Sequence, residues 1–579
     1  LARLTAASAL ACVLLVLSAC GGQDERRDTE RNGDTQRNGG TLIMLAASDV
    51  DFLDPGRVFF TLGAQVLLTT QRPLYSYRGR DLAKPVSDLA SGPPAVSPDG
   101  LEVTVDLRRG VRFSPPVNRA VTSRDVAYAF ERFFSINVAG PYPSYFADLA
   151  GTPARPTKGV RPISGITTPD DQTIVFRLRR PTTAAFIAAL ALPISVPVPE
   201  EYAKQFDAHN PSTYNEHVVA TGPYMVRNDA KGNTVGYKAG STIDLVRNPN
   251  WRRGTDDRPA YVDAIRIRTS TADSTISARQ VLAGSHKILN VTPPAAVLKD
   301  LSEQHSDQEV RLPAGGYRFV PINTTIKPFD NLDVRKAVLA VFDRNAARLA
   351  RGGEVTGPLA THLLPPGIAG YEEAGGAHGP GYDFLDADAP AGDPALAAKY
   401  MKKAGYPSGK YTGDERFLAV AGNTSGEKGV AEVVQAQLAK LGFRLRLRLV
   451  PDDALFTSWC SVPSRKVVFC ASGIAWLKDF PDPQPMLQPV FDGRAITPIA
   501  NSNFSQLDNP QINAAMARAQ LSTGKARGAA WGAIDRMIAA QAPVIPLQWD
   551  VATLIRSKDV VGVPNIYLGS WDLSYTSLK

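Results

Sequence analysis

Residue types capable of chemistry are thinly spread in this chain. The six histidines, at positions 209, 217, 286, 305, 362 and 378, sit apart from one another and from the cysteines, so no metal-ligand spacing is readable. There is no Gly-x-Ser-x-Gly elbow to present a nucleophile, no phosphate-cradling Walker loop and no His-Glu-x-x-His helix. The expectation is a protein without catalytic residues, metal or cofactor. The formal charge of +8 is scattered: Arg444, Arg446 and Arg448 alternate with Leu445, Leu447 and Leu449, the pattern of a half-buried strand with one charged face. No zinc finger, basic-leucine pattern or aromatic RNA-binding signature accompanies that charge, which argues against a nucleic-acid partner.

The N-terminal segment carries Arg3, an apolar run from Leu10 to Leu17, and then Leu17-Ser18-Ala19-Cys20-Gly21. That is the three-part layout of a secretory leader at residues 1–19, and the run is too short for a membrane-spanning helix. Leucine followed by small residues and cysteine resembles the bacterial lipobox, which makes Cys20 a candidate lipid anchor. Residues 20–40 are polar after the anchor, with no apolar area to offset the entropy of ordering, and read as a flexible tether. With Cys12 in the leader and Cys20 assigned to lipid, Cys460 and Cys470 remain. Two thiols ten positions apart in an exported protein suggest one disulfide, two free buried thiols being the alternative.

The elements that must position any site follow from periodicity. A chain of 579 residues exceeds one core, so two large lobes or more are expected. Leu42, Ile43 and Met44 read as a first strand, and strand alternation occurs at Leu101, Val103, Val105 and Leu107 and at Ile174, Phe176 and Leu178. Thr122 or Ser123, with Asp125, marks the start of a helix whose stripe is Val126, Phe130 and Phe133 or Phe134. Further helices are expected at about 332–344, 394–404 and 428–441, the last closed by Gly442 and followed by the arginine-bearing strand. Helix then strand in this order indicates mixed α/β architecture, and the Gly-Pro-rich stretch 365–394 reads as surface loop.

Several segments together resemble the peptide and nickel class of extracellular solute-binding proteins, the dipeptide- and oligopeptide-binding family known as family 5. They are Asp51-Phe52-Leu53-Asp54-Pro55, Leu107 to Phe113, Ser123 to Phe130, Gly222-Pro223-Tyr224, Val246 to Trp251, Asn323, Pro328-Phe329-Asp330, Asp333 to Ala337 with Asp343-Arg344, Ala404 to Pro407, and Trp476 to Pro483. They occur in the family's order across nearly the whole body. The resemblance implies a large type II periplasmic-binding-protein-like fold of three subdomains, with a hinge and an interlobe cleft. Lobe I would comprise 41–318 plus 545–579, with a subdomain inserted at about 85–215, and lobe II 319–544.

Function and site follow from the same resemblance. It implies the substrate-binding component of an ABC importer: a monomer on the outer face of the cell membrane that closes on a dipeptide or oligopeptide and delivers it to a permease and ATPase complex. Chelated nickel or another metal, an oligosaccharide or an opine are the alternative cargoes, and a structural or signalling envelope lipoprotein the alternative role. Most of the matching aromatics and turn residues read as packing, which identifies the scaffold more than the cargo. Asp479 falls where the family's acidic residue accepts a peptide's α-ammonium. Trp476 is the expected cleft wall, Asn323 the expected hinge-side residue, and Tyr224 and Asp51 are lining candidates. Lys478 departs from the small or uncharged residues common beside that acid and would weaken the local negative field if it pointed inward.

Overall fold

A computed structural model describes residues 37–78, 82, 84–141, 143–269, 273–451, 454–498 and 501–579. The leader at 1–19, the proposed anchor Cys20 and the tether up to residue 36 lie outside the described residues. The last residues of the expected tether already join the body: the Arg37 amide donates to the Leu578 carbonyl (3.1 Å) and the Gly40 amide to Asp263 (3.0 Å).

The first lobe opens with strand β1 (Thr41–Leu45) and helix α1 (Thr61–Thr70). An insertion follows with β2 (Glu102–Asp106), α2 (Ser123–Phe133), β3 (Ile166–Asp170), β4 (Thr173–Arg177) and α3 (Glu200–Asp207). The chain returns through β5 (Tyr224–Val226), β6 (Thr242–Arg247), β7 (Ala264–Arg268), β8 (Lys287–Leu289) and α4 (Ala295–Gln304). The main sheet runs β8-β1-β7-β6-β5, with β1 parallel to β7 and β8, and β6 antiparallel to its neighbours. Its core joins Leu42, Met44, Ile265 and Ile267 to Trp571, Leu573 and Leu578, so the C-terminal segment packs into the first lobe. The insertion carries a four-stranded antiparallel sheet and its own core around Phe113, Phe130, Phe146 and Phe176. The capping signal at α2 is formed, with the Asp125 carboxylate accepting from the Thr122 amide at 2.8 Å.

Strand β9 (Glu309–Pro321) leaves this lobe for the second. There the chain forms α5 (Leu332–Val341), α6 (Arg344–Ala350), β10 (Arg416–Gly422), α7 (Ser425–Lys440), β11 (Arg444–Val450), β12 (Phe469–Cys470), β13 (Ile474–Leu477) and α8 (Gly524–Ala540). Strand β14 (Val544–Ile555) then leads back. Strands β11, β10 and β12 form a parallel sheet, and β13, β9 and β14 an antiparallel one that runs through both lobes. The single helix expected at 332–344 is two, because the chain turns extended at Phe342 and Asp343 starts afresh by capping α6 through the Ala346 amide (2.8 Å). The Gly-Pro-rich stretch is more than loop. It holds short helical turns, buries Ala374, Phe384 and Leu385, and brings Gly370 onto the backbone of Gly528 and Gly532 in α8.

Several family-like motifs are structural. Arg132, fully buried, clamps Asp54 (2.6 and 2.8 Å) and Asp207 (2.6 and 2.8 Å), tying the segment after β1 to the insertion. Four charge-assisted bonds offset the desolvation of the three groups, and removing one member would strand a buried charge. Arg247 lies over the Tyr224 ring (5.5 Å), Asn248 donates to the Gly222 carbonyl (2.9 Å), and the Trp251 indole donates to Asp256 (2.9 Å).

Cys460 and Cys470 are bonded, with Cα atoms 6.0 Å apart, and both are buried. Closing so short a loop is worth about 2–3 kcal/mol through the unfolded chain's entropy. The Cys460→Ser/Cys470→Ser double variant is therefore expected to unfold at lower denaturant concentration, and thiol titration of the unfolded, unreduced parent to find neither cysteine free; two free thiols would remove the bond.

Candidate functional site

Strand β13 is held by β9, with Arg318 opposite Ala475, Tyr317 opposite Trp476 and Gly316 opposite Leu477. Alternation puts Ile474 and Trp476 in the second lobe's core and leaves Ala475 and Leu477 half-buried on the other face. The chain then runs through Lys478 and Asp479 to Asp482, which caps the following helix (Gln484 amide, 2.8 Å) and is gripped by Arg527 (2.7 Å to each oxygen). Because Asp482 does the capping, Asp479 is free to face elsewhere.

It faces the first lobe. The Tyr145 hydroxyl, from the insertion, donates to the Asp479 carboxylate at 2.5 Å, and the Tyr567 hydroxyl, from the C-terminal segment, donates to the Asp479 carbonyl at 2.5 Å. The next residue, Phe480, is fully buried in the insertion's core, edge-on to Tyr145 with ring centroids 5.2 Å apart. Tyr77 packs against Tyr567 at 5.1 Å, and Arg180 donates to Gln520 across the same seam (2.9 Å). Asp479 thus sits where the two lobes meet.

Burial pushes the Asp479 carboxyl up to about 7, with the Tyr145 hydroxyl pulling it back down. The residue is half-buried, with its carboxylate turned to the Tyr145 hydroxyl in the seam. Lys478 does not oppose it: its ammonium donates to the carbonyls of Ala314 (3.0 Å) and Ile566 (3.4 Å), and burial lowers its pKa to about 8. The β-bulge in β9 makes room for it, since a Cβ at Gly315, where φ is +65°, would collide with the Lys478 ammonium.

The other candidates lie elsewhere. Trp476 is 7% exposed, with its indole donating to the Pro485 carbonyl (2.8 Å), so it backs the strand from the core side. Asn323 is buried; it donates to the Val467 carbonyl (3.1 Å) and accepts from Thr325, so its polar atoms are spent on the chain itself. Tyr224 is no lining residue: it is fully buried and its hydroxyl donates to the Val262 carbonyl (2.8 Å). Asp51 accepts from the amides of Phe59 (2.6 Å) and Phe60 (2.9 Å), while its other oxygen is sealed without a partner and burial raises its pKa. Tyr145 and Tyr567 were not foreseen from sequence, where they stand 334 and 88 residues from Asp479 with no local pattern to mark them.

Among the described residues no group of three or more histidine, cysteine or acidic side chains could hold a metal ion. A hollow of about 690 Å³ opens on the insertion near Arg124, Glu131, Lys158 and Lys204, but shares no residue with the seam. Arg124 on its rim is neutralised by Glu131 (2.7 Å) and Glu200 (2.9 Å).

Residues 84–497 match the family model described as bacterial extracellular solute-binding proteins, family 5 middle. Heme-binding protein A of Haemophilus influenzae is 27% identical over 484 residues, 81% of this chain and 79% of that protein. Di/tripeptide-binding protein 3 of Pseudomonas aeruginosa is 27% identical over 362 residues, 61% of each chain. The solved structure of clavulanic acid biosynthesis oligopeptide binding protein 2 superposes with a TM-score of 0.79 at 29% identity, covering 94% of this chain and 96% of that one.

The raised Asp479 pKa fixes a pH dependence. An unfolded aspartate titrates near about 3.9; between there and about 7 the native state holds a proton that the unfolded chain has lost. This group's contribution to stability therefore falls as pH rises from about 4 to about 7, and is level above. Thermal unfolding of the ligand-free protein at pH 5 and pH 8 should show Asp479→Asn gaining on the parent at pH 8 but not at pH 5. A pH-independent difference would contradict the burial of the charge.

Proposed function

The chain belongs to family 5 of the bacterial extracellular solute-binding proteins, and from that premise we propose that it captures peptides between its lobes and hands them to an ABC importer. The observation that carries this reading is the Asp479 carboxylate. It lies in the interlobe seam, desolvated, and its hydrogen-bond partner among the described residues is the Tyr145 hydroxyl. A buried carboxylate so lightly partnered is stabilised by an incoming cation, and a peptide's α-ammonium is a cation with three donors.

Closure supplies the mechanism. β9 and β14 link the lobes, and a ligand touching both sides shifts the population toward the closed form by its differential affinity for it. Asp479 binds the ammonium from the second lobe, while Tyr145 and Tyr567 meet the same turn from the first. Backbone amides of the half-buried edge at Ala475 and Leu477 take the ligand's main chain. Side chains left among water-mediated contacts would be accepted with little discrimination. The protein transforms nothing; ATP hydrolysis belongs to separate subunits, since this chain has no phosphate-binding loop. It works as a monomer outside the cytoplasm, with the leader and the lipobox-like sequence at Cys20 supporting a lipid tether to the membrane. No described helix is long and apolar enough to cross one.

Replacing Asp479 with Asn keeps shape and hydrogen-bonding atoms but removes charge. Calorimetry with a peptide and its N-acetylated form is expected to show a loss of about 10- to 150-fold from either change, because a charge-assisted bond is worth roughly 1.5–3 kcal/mol. Affinity for the free peptide should also rise with pH through about 7 as Asp479 ionises. Haem, suggested by the Haemophilus influenzae relative, is the control ligand. Binding of haem but of no peptide would replace the cargo while leaving the transport role.

A further inference from the structure

The chain enters the body beside a group of positive charges that the described fold does not use. β1 begins at Thr41 opposite Ala264, where β7 also begins, and β6 ends there with Val246 opposite Ala264. The 248–263 connection between β6 and β7 therefore lies at the end of the main sheet where the segment leading from Cys20 arrives. The two are bonded: the Gly39 amide donates to the Tyr261 carbonyl (2.9 Å) and the Gly40 amide to Asp263 (3.0 Å).

That connection is held firmly. Asn248 donates to the Gly222 carbonyl (2.9 Å), Asn250 to the Phe113 carbonyl (2.8 Å) and to Asn118 (2.7 Å), and the Trp251 indole to Asp256 (2.9 Å), which also pairs with Arg258 (2.6 Å). Between these fixed points Arg252 and Arg253 are exposed, and neither guanidinium has a hydrogen bond or an ion pair among the described residues. Arg112 is exposed on the insertion loop that Asn250 grips, and its guanidinium donates to the Asn118 carbonyl. Arg37, also exposed, joins them from the incoming segment. The exposed acids of the connection are Asp257 and Asp263, the latter turned to the Gly40 amide, and the insertion loop from 107 to 121 holds no acid at all.

We propose that Arg37, Arg112, Arg252 and Arg253 form a docking face for anionic phospholipid headgroups, so that the body rests on the membrane by the tether end of its first lobe. A guanidinium presents a fork that takes two phosphate oxygens, and its charge is drawn to an anionic surface over about a Debye length. The proposal rests on the tether reading of Cys20. Residues 21–36 separate Cys20 from Arg37, and a chain of that length spans at most about 60 Å, so the anchor keeps this end of the sheet close to the lipid. All four arginines belong to the first lobe and its insertion, which the Arg132 cluster ties together, so docking leaves the second lobe free to swing.

The test is co-sedimentation of the leader-free chain carrying Cys20→Ser, which has no acyl chain, with vesicles of equal parts phosphatidylglycerol and phosphatidylcholine or of phosphatidylcholine alone. The parent should bind the anionic vesicles at low salt, bind the neutral ones far less, and lose the difference in about 0.5 M salt, where the Debye length shrinks to a few ångströms. The Arg112→Gln/Arg252→Gln/Arg253→Gln variant should lower the partition coefficient about 100-fold, each cation near such a surface contributing about fivefold. The Arg416→Gln/Arg444→Gln/Arg446→Gln variant removes the same charge from exposed positions of β10 and β11 on the second lobe. It should bind within about threefold of the parent, because charges more than a Debye length from the surface are screened. Equal losses in the two variants would mean attraction by net charge alone and overturn the face, as would a parent that does not distinguish the two vesicles. Neither failure touches the tether, since the acyl chain is absent throughout; mass spectrometry of the native Cys20 reads that separately.

Discussion

Everything in this molecule that bears on function hangs from two adjacent strands. β9 and β14 pair from Glu309 opposite Ile555 to Pro321 opposite Val544, and in that length pass from the first lobe's core to the second's. Backbone amides inside a protein must be paired, so the ribbon cannot part without large cost. Relative motion of the lobes is confined to bending and twisting of this ribbon, whose register is irregular between Pro313 and Tyr317. The expected boundaries at 318/319 and 544/545 fall within or at the end of these strands, and β13, which carries Asp479, is the ribbon's third strand.

Buried charge is the second organising theme, and it is used in two ways. In the first lobe, Arg132 is surrounded by carboxylates, and Arg258 with Asp256 and Arg72 with Asp88 repeat the arrangement nearby at 2.6 and 2.7 Å. These groups satisfy one another and fix the insertion to the main sheet. At the seam the pattern inverts: the Asp479 carboxylate is desolvated, with the Tyr145 hydroxyl as its side-chain partner among the described residues. Satisfied networks rigidify, whereas unsatisfied groups raise the energy of the empty closed form and so favour whatever completes them. The same physics thus separates scaffold from site.

That contrast explains what could be read from sequence. Periodicity located β1, β2, β4, α2 and the α7–β11 unit, because burial on one face writes itself into every second or every third and fourth residue. The family-like order of motifs identified the architecture, and those motifs are mostly scaffold: Asp54, Asn248 and Trp251 hold the first lobe together. Side-chain destination was not legible. Tyr224 looks like a lining aromatic until its hydroxyl is found spent on Val262, and Asn323 until its amide is spent on Val467. Tyr145 and Tyr567 carry no local signal, because what matters about them is a partner far away in the chain.

The burial of Phe480 in the insertion's core, beside Tyr145 and close to the Tyr77–Tyr567 pair, means that parting the lobes wets aromatic rings as well as a carboxylate. Apolar hydration gives the open form the larger heat capacity. Closure is therefore governed by temperature in its own right: cooling weakens the drive to shut even with no change in the bonds a ligand makes. The seam acts as a thermally biased latch, and affinity measured in the cold understates how firmly the lobes hold together in a warm cell envelope.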